Sequence, residues 1–197
     1  MAIRQTVNPD ETSAQRLIKQ FNLQAHPEGG YYRETYRSPL GVMADAGRRS
    51  ASTAIYYMLE SGDHSAWHRI ASDELWHFYT GSALNVYVLD DEKGLVTHRL
   101  GDPLRDPACT FQAVVPAGCW FAAQLASNAC RPAAARLKTK GSGPSAADAQ
   151  SSSFALVGCT VAPGFEFSEF EMADTCVLIE QYPAHAGLIA RLAPIQR

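Results

Sequence analysis

Between Tyr31 and Met172 the chain is a succession of short β-prone runs separated by turn residues, and this rhythm restricts the fold more than any other feature. The runs are Tyr31–Tyr36, Thr53–Leu59, Leu75–Tyr79, Leu84–Leu89, Val96–Leu100, Phe111–Val115, Trp120–Leu125, Phe154–Val161 and Phe165–Met172. Short strands at this spacing predict an all-β sandwich or barrel, and nine of them with short links favour a double-sheet jelly roll. Asp90 to Gly94 reads as a hairpin turn.

Helical signals stand only at the ends. Asp10 to Ser13 offers N-cap chemistry ahead of Leu17, Ile18 and Phe21, which predicts a helix over Glu11–Asn22 closed by the His26–Gly30 turn. Asp174 caps a second helix, interrupted by Pro183 before a last turn or two over Ala184–Leu192. With 197 residues, 46% hydrophobic and 19% charged, the whole chain (1–197) is expected to be one domain. Residues 127–153, rich in Ala, Ser, Gly and Pro, read as a flexible insertion within a hairpin, because one Leu cannot offset the ordering entropy.

A formal charge of −3 without a basic block argues against nucleic-acid binding through phosphates. No apolar stretch reaches the roughly 20 residues of a membrane span, and the N-terminus lacks a secretory apolar run, so a cytoplasmic location is expected. Five scattered cysteines without a C-x-x-C pair read as buried free thiols.

Chemistry concentrates in Gly62–Gly81, which holds three His, two Asp and one Glu. Strand alternation sets Glu74, Trp76 and Phe78 on one face and Leu75, His77 and Tyr79 on the other. Facing a barrel interior, Glu74 would be desolvated and would hold its proton near neutral pH, suiting it to proton transfer; a structural ion pair with Arg33 or Arg69 is the competing reading. His68, near its ordinary pKa of about 6.5, suits proton abstraction α to a carbonyl, with Glu74 or a tyrosine such as Tyr56 as the opposing acid. Arg33 and Arg37 on the first strand can hold a phosphate or carboxylate. Trp67, Trp76 and Trp120 can stack on a ligand or serve the core, and core packing is the commoner role. Gly29-Gly30 reads as a tight turn against the barrel wall, His26 as a turn residue, and His64, His98 and His185 as solvated.

Gly62, His68, Glu74 and Gly81 follow the first motif of the cupin superfamily except that Ile70 replaces its second His. Pro116-Ala117-Gly118 follows the turn of the second motif, with Phe121 in place of the His and Leu125 in place of the Asn. Together with His26–Ser38, Ser72–Gly81, Val114–Leu125 and Leu156–Asp174, these residues resemble the cupin branch called domain of unknown function 985. The resemblance implies a double-stranded β-helix, the cupin jelly-roll barrel, with short N- and C-terminal helices and a homodimeric assembly.

Of the usual cupin ligand positions only His68 and Glu74 keep a donor, against the three or so that a catalytic metal needs, so no cofactor is expected; a weakly held divalent metal would rest on those two. The pocket, with Trp76, His77 and Trp120 beside the arginines, is then expected to bind a small molecule. A metal-free isomerase or epimerase of a sugar or sugar-phosphate-like carbonyl compound is the leading expectation, a metabolite sensor the second, and a metal-dependent enzyme the third.

Overall fold

A computed structural model describes residues 12–44, 47–126 and 153–194. The proposed insertion 127–153 lies, apart from Ser153, outside the described residues.

In chain order the elements are α1 (Ser13–Phe21), β1 (Gln24–Ala25), β2 (Tyr31–Arg37), β3 (Gly41–Ala44), β4 (Gly47–Ser50), β5 (Thr53–Glu60), β6 (His64–Arg69) and β7 (Asp73–Gly81). There follow β8 (Leu84–Asp90), β9 (Gly94–Leu100), β10 (Gln112–Val115), β11 (Trp120–Leu125), β12 (Phe154–Ala162), β13 (Glu171–Met172), α2 (Thr175–Gln181) and α3 (Ala186–Arg191). Two antiparallel sheets result, β1-β2-β5-β12-β7-β10 and β13-β6-β11-β8-β9, with β3-β4 as a separate hairpin. This is the all-β jelly roll with short terminal helices that the strand rhythm predicts. Among the described residues no helix is long and apolar enough to cross a membrane.

Between the sheets Tyr57, Trp76, Val86, Val88, Phe121 and Val157 form the main core. The outer faces are also covered. On the six-stranded sheet α1 packs its Ala14, Leu17 and Phe21 against Met58, Leu156 and Tyr56. On the other sheet α2 and α3 bury Leu178, Ile189 and Leu192 against Trp67, Tyr87 and Ala122. Strands buried on both faces lose the polar/apolar alternation that marks a strand in a sequence, which is why β6, with Ser65 to His68 all buried, escapes the run of predicted strands.

The helix ends obey local chemistry. Thr12 caps α1 in a reciprocal capping box with Gln15, and Asn22 closes it in the left-handed conformation at φ 51°. Asp174 accepts from the amides of Cys176 and Val177 to start α2.

One predicted strand is corrected. Phe165–Met172 is a strap with a 3-10 turn at Phe167–Glu169 and only two residues of strand, β13. Side chains hold its start in place of a neighbouring strand: Arg49 donates to the oxygens of Pro163 and Gly164 just ahead of it, and Arg37 to that of Phe165. Arg49, almost fully buried, also pairs with Glu169 of the strap. Of the described cysteines, Cys109 and Cys159 are buried as expected, Cys119 is half-buried and Cys176 is exposed.

Candidate functional site

The cavity opens between the inner faces of the two sheets beneath this strap. It measures about 150 Å³ and is bordered by β2, β5, β6, β7, β12, the strap and the β1–β2 turn. That turn is the part sequence reasoning undervalued. Gly29 adopts φ +114°, and a Cβ there would stand 2.1 Å from the His64 carbonyl oxygen, so the turn lies directly on β6. The amide of Ala66 donates to the Glu28 carbonyl at 2.8 Å, which seats the turn at the barrel wall. His26 and Glu28 thereby become buried cavity residues, a correction to the reading of His26 as a turn residue alone.

Glu28 is the hub of a closed hydrogen-bonded network. Its carboxylate accepts from Ser65 Oγ at 3.0 Å and from His68 Nε2 at 3.0 Å. His68 Nδ1 stands 2.7 Å from the Ala66 carbonyl oxygen. Both ring nitrogens of His68 thus face acceptors, so both carry hydrogen and the ring is an imidazolium. Burial works against that charge, but the Glu28 carboxylate and the two hydrogen bonds outweigh it and raise the His68 pKa. Burial likewise opposes ionisation of Glu28, and His68, His26 and the Ser65 hydroxyl more than reverse it, bringing Glu28 down to about 2. His26 is held neutral chiefly by burial.

Glu74 behaves in the opposite way. It sits at the start of β7, 7% exposed, beside the Cys159 thiol, and desolvation lifts it to about 7, only partly offset by His68. The desolvation expected of Glu74 on β7 is therefore present. The role of His68 changes, because an imidazolium with both protons committed is not a base.

The structure brings His68, Glu74 and Arg37 to the cavity and gives the other residues expected there different places in the fold. Tyr56 points to the outer face, where its ring stands 4.9 Å from Phe21 of α1; its neighbour Tyr57 faces inward and donates to the Gly29 carbonyl at 2.8 Å. Arg33 is also outside, donating to the Phe21 carbonyl at the end of α1. His77 lies on the outer face between Thr160 Oγ1 at 3.1 Å and Gln112 Nε2 at 2.9 Å. Trp76 does face inward but is 1% exposed and packed edge-on to Tyr57 and Phe121, so it is core. Trp120 packs outside the five-stranded sheet, with the Arg69 guanidinium 4.5 Å over its ring. His64, His98 and His185 are half-buried, not freely solvated, and His64 Nε2 lies 2.9 Å from the Ala193 carbonyl oxygen.

The residues present do not fit a mononuclear metal. Ile70 lines the cavity, and the Phe121 ring lies with its centroid 4.0 Å from that of His68. Neither side chain offers a donor, and His68 has no free lone pair. Among the described residues no three or more His, Cys, Asp or Glu side chains converge as metal donors.

The comparisons agree with this architecture. The family model described as cupin superfamily (DUF985) matches residues 15–173. A hypothetical protein from Leishmania major is 30% identical, with a TM-score of 0.75 over 94% of this chain and 100% of that one. A protein from Shewanella oneidensis is 31% identical, with a TM-score of 0.73 over the same shares. A search of the curated proteins finds no match. With the jelly roll, the motif positions and the family match over residues 15–173 in agreement, the chain belongs to the cupin superfamily, in the branch described as domain of unknown function 985.

Proposed function

We propose that the cavity performs metal-free acid–base catalysis on a small carbonyl compound, with Glu74 as the group that carries the proton. One observation supports this above all: two buried carboxylates border the same cavity, and their environments drive them apart, Glu28 to about 2 and Glu74 to about 7. Such a split assigns distinct roles, the low group as a fixed charge and the high one as proton donor and acceptor. Near pH 7 about half of Glu74 is ionised, the condition under which a carboxyl both takes and returns a proton efficiently.

In the proposed step the α C–H bond breaks, its proton passes to a Glu74 oxygen, and the electron pair moves into the carbonyl to give an enolate. The imidazolium of His68 stabilises the developing negative charge electrostatically. Glu74, its carboxyl hydrogen exchanged with solvent, then returns a proton to carbon, at the α position for simple exchange or at the far end of a conjugated enolate for isomerisation. Glu28 stays ionised and the two His68 protons stay in their hydrogen bonds, so a second proton donor for the opposite face is missing from this set. The arrangement therefore favours one-base isomerisation over two-base epimerisation.

The test is solvent exchange. Incubated in D2O with a panel of aldehydes and ketones, the protein is expected to introduce deuterium α to the carbonyl, and Glu74→Gln to abolish it. Exchange that survives in Glu74→Gln would overturn the assignment. Binding without exchange in the parent protein would instead favour a ligand-sensing cupin.

We also propose that the chain forms a homodimer. The open β7–β10 edge of the six-stranded sheet supports it, with Tyr79 51%, Phe111 50% and Val114 48% exposed. A monomer in light scattering would refute the pairing. Of the first-strand tyrosines, Tyr36 is exposed, whereas Tyr31 packs beneath α1 and Tyr32 against the main core.

A further inference from the structure

Arg37 is the single Arg or Lys among the described residues bordering the cavity, and its charge is matched by protein carboxylates. Its Nε and Nη2 donate to the two oxygens of Glu34 at 3.1 and 2.9 Å. Its Nη1 donates to Glu166 Oε1 at 2.7 Å, and Nη2 also to the Phe165 carbonyl at 3.1 Å. A guanidinium has five N–H groups, and four are committed here. Two carboxylates face one guanidinium, so the rim carries excess negative charge. Deeper in, the imidazolium of His68 is matched to Glu28. An entering phosphate or carboxylate would meet no uncommitted cation, and a desolvated anion without a partner is strongly disfavoured.

Several neutral polar groups inside the barrel are committed as well. Each hydroxyl that leaves water needs a replacement partner. The Tyr57 hydroxyl is committed to Gly29, Ser65 to Glu28, and Glu28 to Ser65 and His68. Gln24, His26, Tyr32, Thr53 and Glu74 add polar side chains to the wall, and its remainder is apolar, including Ile55, Ile70, Val161 and the strap residues Phe165 and Phe170. Phe165, Phe167 and Phe170 stand steeply tilted to one another, at 82°, 73° and 70°, so that they offer both ring faces and ring edges. His26 and Phe167 are close to parallel, 26° apart, with centroids separated by 6.4 Å. Such an aromatic wall favours flat ligands. A cavity of about 150 Å³ is of the size that holds a single six-membered ring.

We infer that this cavity takes an uncharged, flat carbonyl compound, an aromatic or conjugated aldehyde or ketone, and rejects phosphorylated and carboxylated ones. The carbonyl in this inference rests on the acid–base reading of Glu74, whereas the selection for an uncharged flat body rests on the rim and wall. It replaces the sugar-phosphate expectation with the class that the committed polar groups leave open.

Matched probes test it by calorimetry on the full chain. Acetophenone and 4-acetylbenzoate share a ring and a ketone and differ by one carboxylate; dihydroxyacetone and its phosphate add the hydroxylated pair. Acetophenone is expected to bind at least about tenfold more tightly than 4-acetylbenzoate, a difference of roughly 1.4 kcal/mol, with dihydroxyacetone phosphate binding more weakly than dihydroxyacetone. In the Glu34→Gln/Glu166→Gln double variant, which releases Arg37, the handicap of 4-acetylbenzoate is expected to shrink to within about threefold. Equal or tighter binding of the carboxylate or the phosphate by the parent protein overturns the inference, as does failure of acetophenone to bind. The methyl protons of acetophenone are themselves exchangeable. Acetophenone that binds without α-deuteration would sink the acid–base reading and leave the ligand class standing.

Discussion

Glu74→Gln keeps the shape of the side chain and removes its titration, so it isolates the consequence of burying this carboxyl. Glu74 moves from 4.5 to about 7 on folding, which at roughly 1.4 kcal/mol per unit corresponds to about 3 kcal/mol. The sign follows from proton binding. The folded state holds the Glu74 proton more tightly than the unfolded chain does, so stability falls as pH rises from 4.5 towards 7 and then levels off. The glutamine variant lacks that fall. The difference between the two proteins should thus widen across this window, towards about 3 kcal/mol in favour of the variant by pH 8, on top of any constant offset from burying the amide. The groups facing Glu74 are His68, Glu28 and Cys159, and they titrate in both proteins, so their contributions largely cancel in the difference. Urea unfolding followed by tryptophan fluorescence at intervals from pH 4.5 to 9, with the slope m unchanged, measures it. For a domain of this size the gap equals roughly 6–12 °C in melting temperature. Curves that run parallel across the whole range would refute the reasoning, because they would mean that Glu74 ionises as it does in the unfolded chain and has no proton to shuttle near pH 7.

Two other perturbations probe the supporting structure. Glu28, held at about 2 against 4.5 when unfolded, contributes stability that is present above pH 4.5 and lost as pH falls towards 2. Glu28→Gln is expected to cost about 3 kcal/mol at pH 7, with the deficit closing in acid, and to lower the His68 pKa in imidazole NMR. Arg49→Ala removes the buried guanidinium that pairs with Glu169 and holds the carbonyls of Pro163 and Gly164. It should cost about 3 kcal/mol in denaturant and accelerate amide hydrogen exchange in the strap from Gly164 to Met172.

Most of the barrel was legible because its signals are local. Turn residues, β-prone runs and the caps at Thr12 and Asp174 act within a few residues, and eight of the nine predicted strands stand close to their expected bounds. The failed strand, Phe165–Met172, failed for a non-local reason: Arg37 bonds the Phe165 carbonyl and Arg49 the Gly164 carbonyl just ahead of it, both from more than a hundred residues away in sequence. Tyr56 was mistaken for its neighbour for a related reason. With α1 on one side of β5 and the main core on the other, both Tyr56 and Tyr57 look apolar-facing, and only packing decides which one borders the cavity.

By itself the sequence determined the class of fold and the opposite faces of Glu74 and His77, and its resemblance to the cupin motifs marked Ile70 and Phe121 as positions without a metal donor, because alternation and side-chain chemistry are properties of a residue and its near neighbours. Only the tertiary structure decided which charges meet. The Gly29-Gly30 turn carries Glu28 onto β6, converting His68 from a prospective base into a committed imidazolium, and Glu34 and Glu166 together occupy Arg37. Electrostatic roles depend on distances between segments remote in the chain, and those distances exist only once the two sheets have closed over a common core.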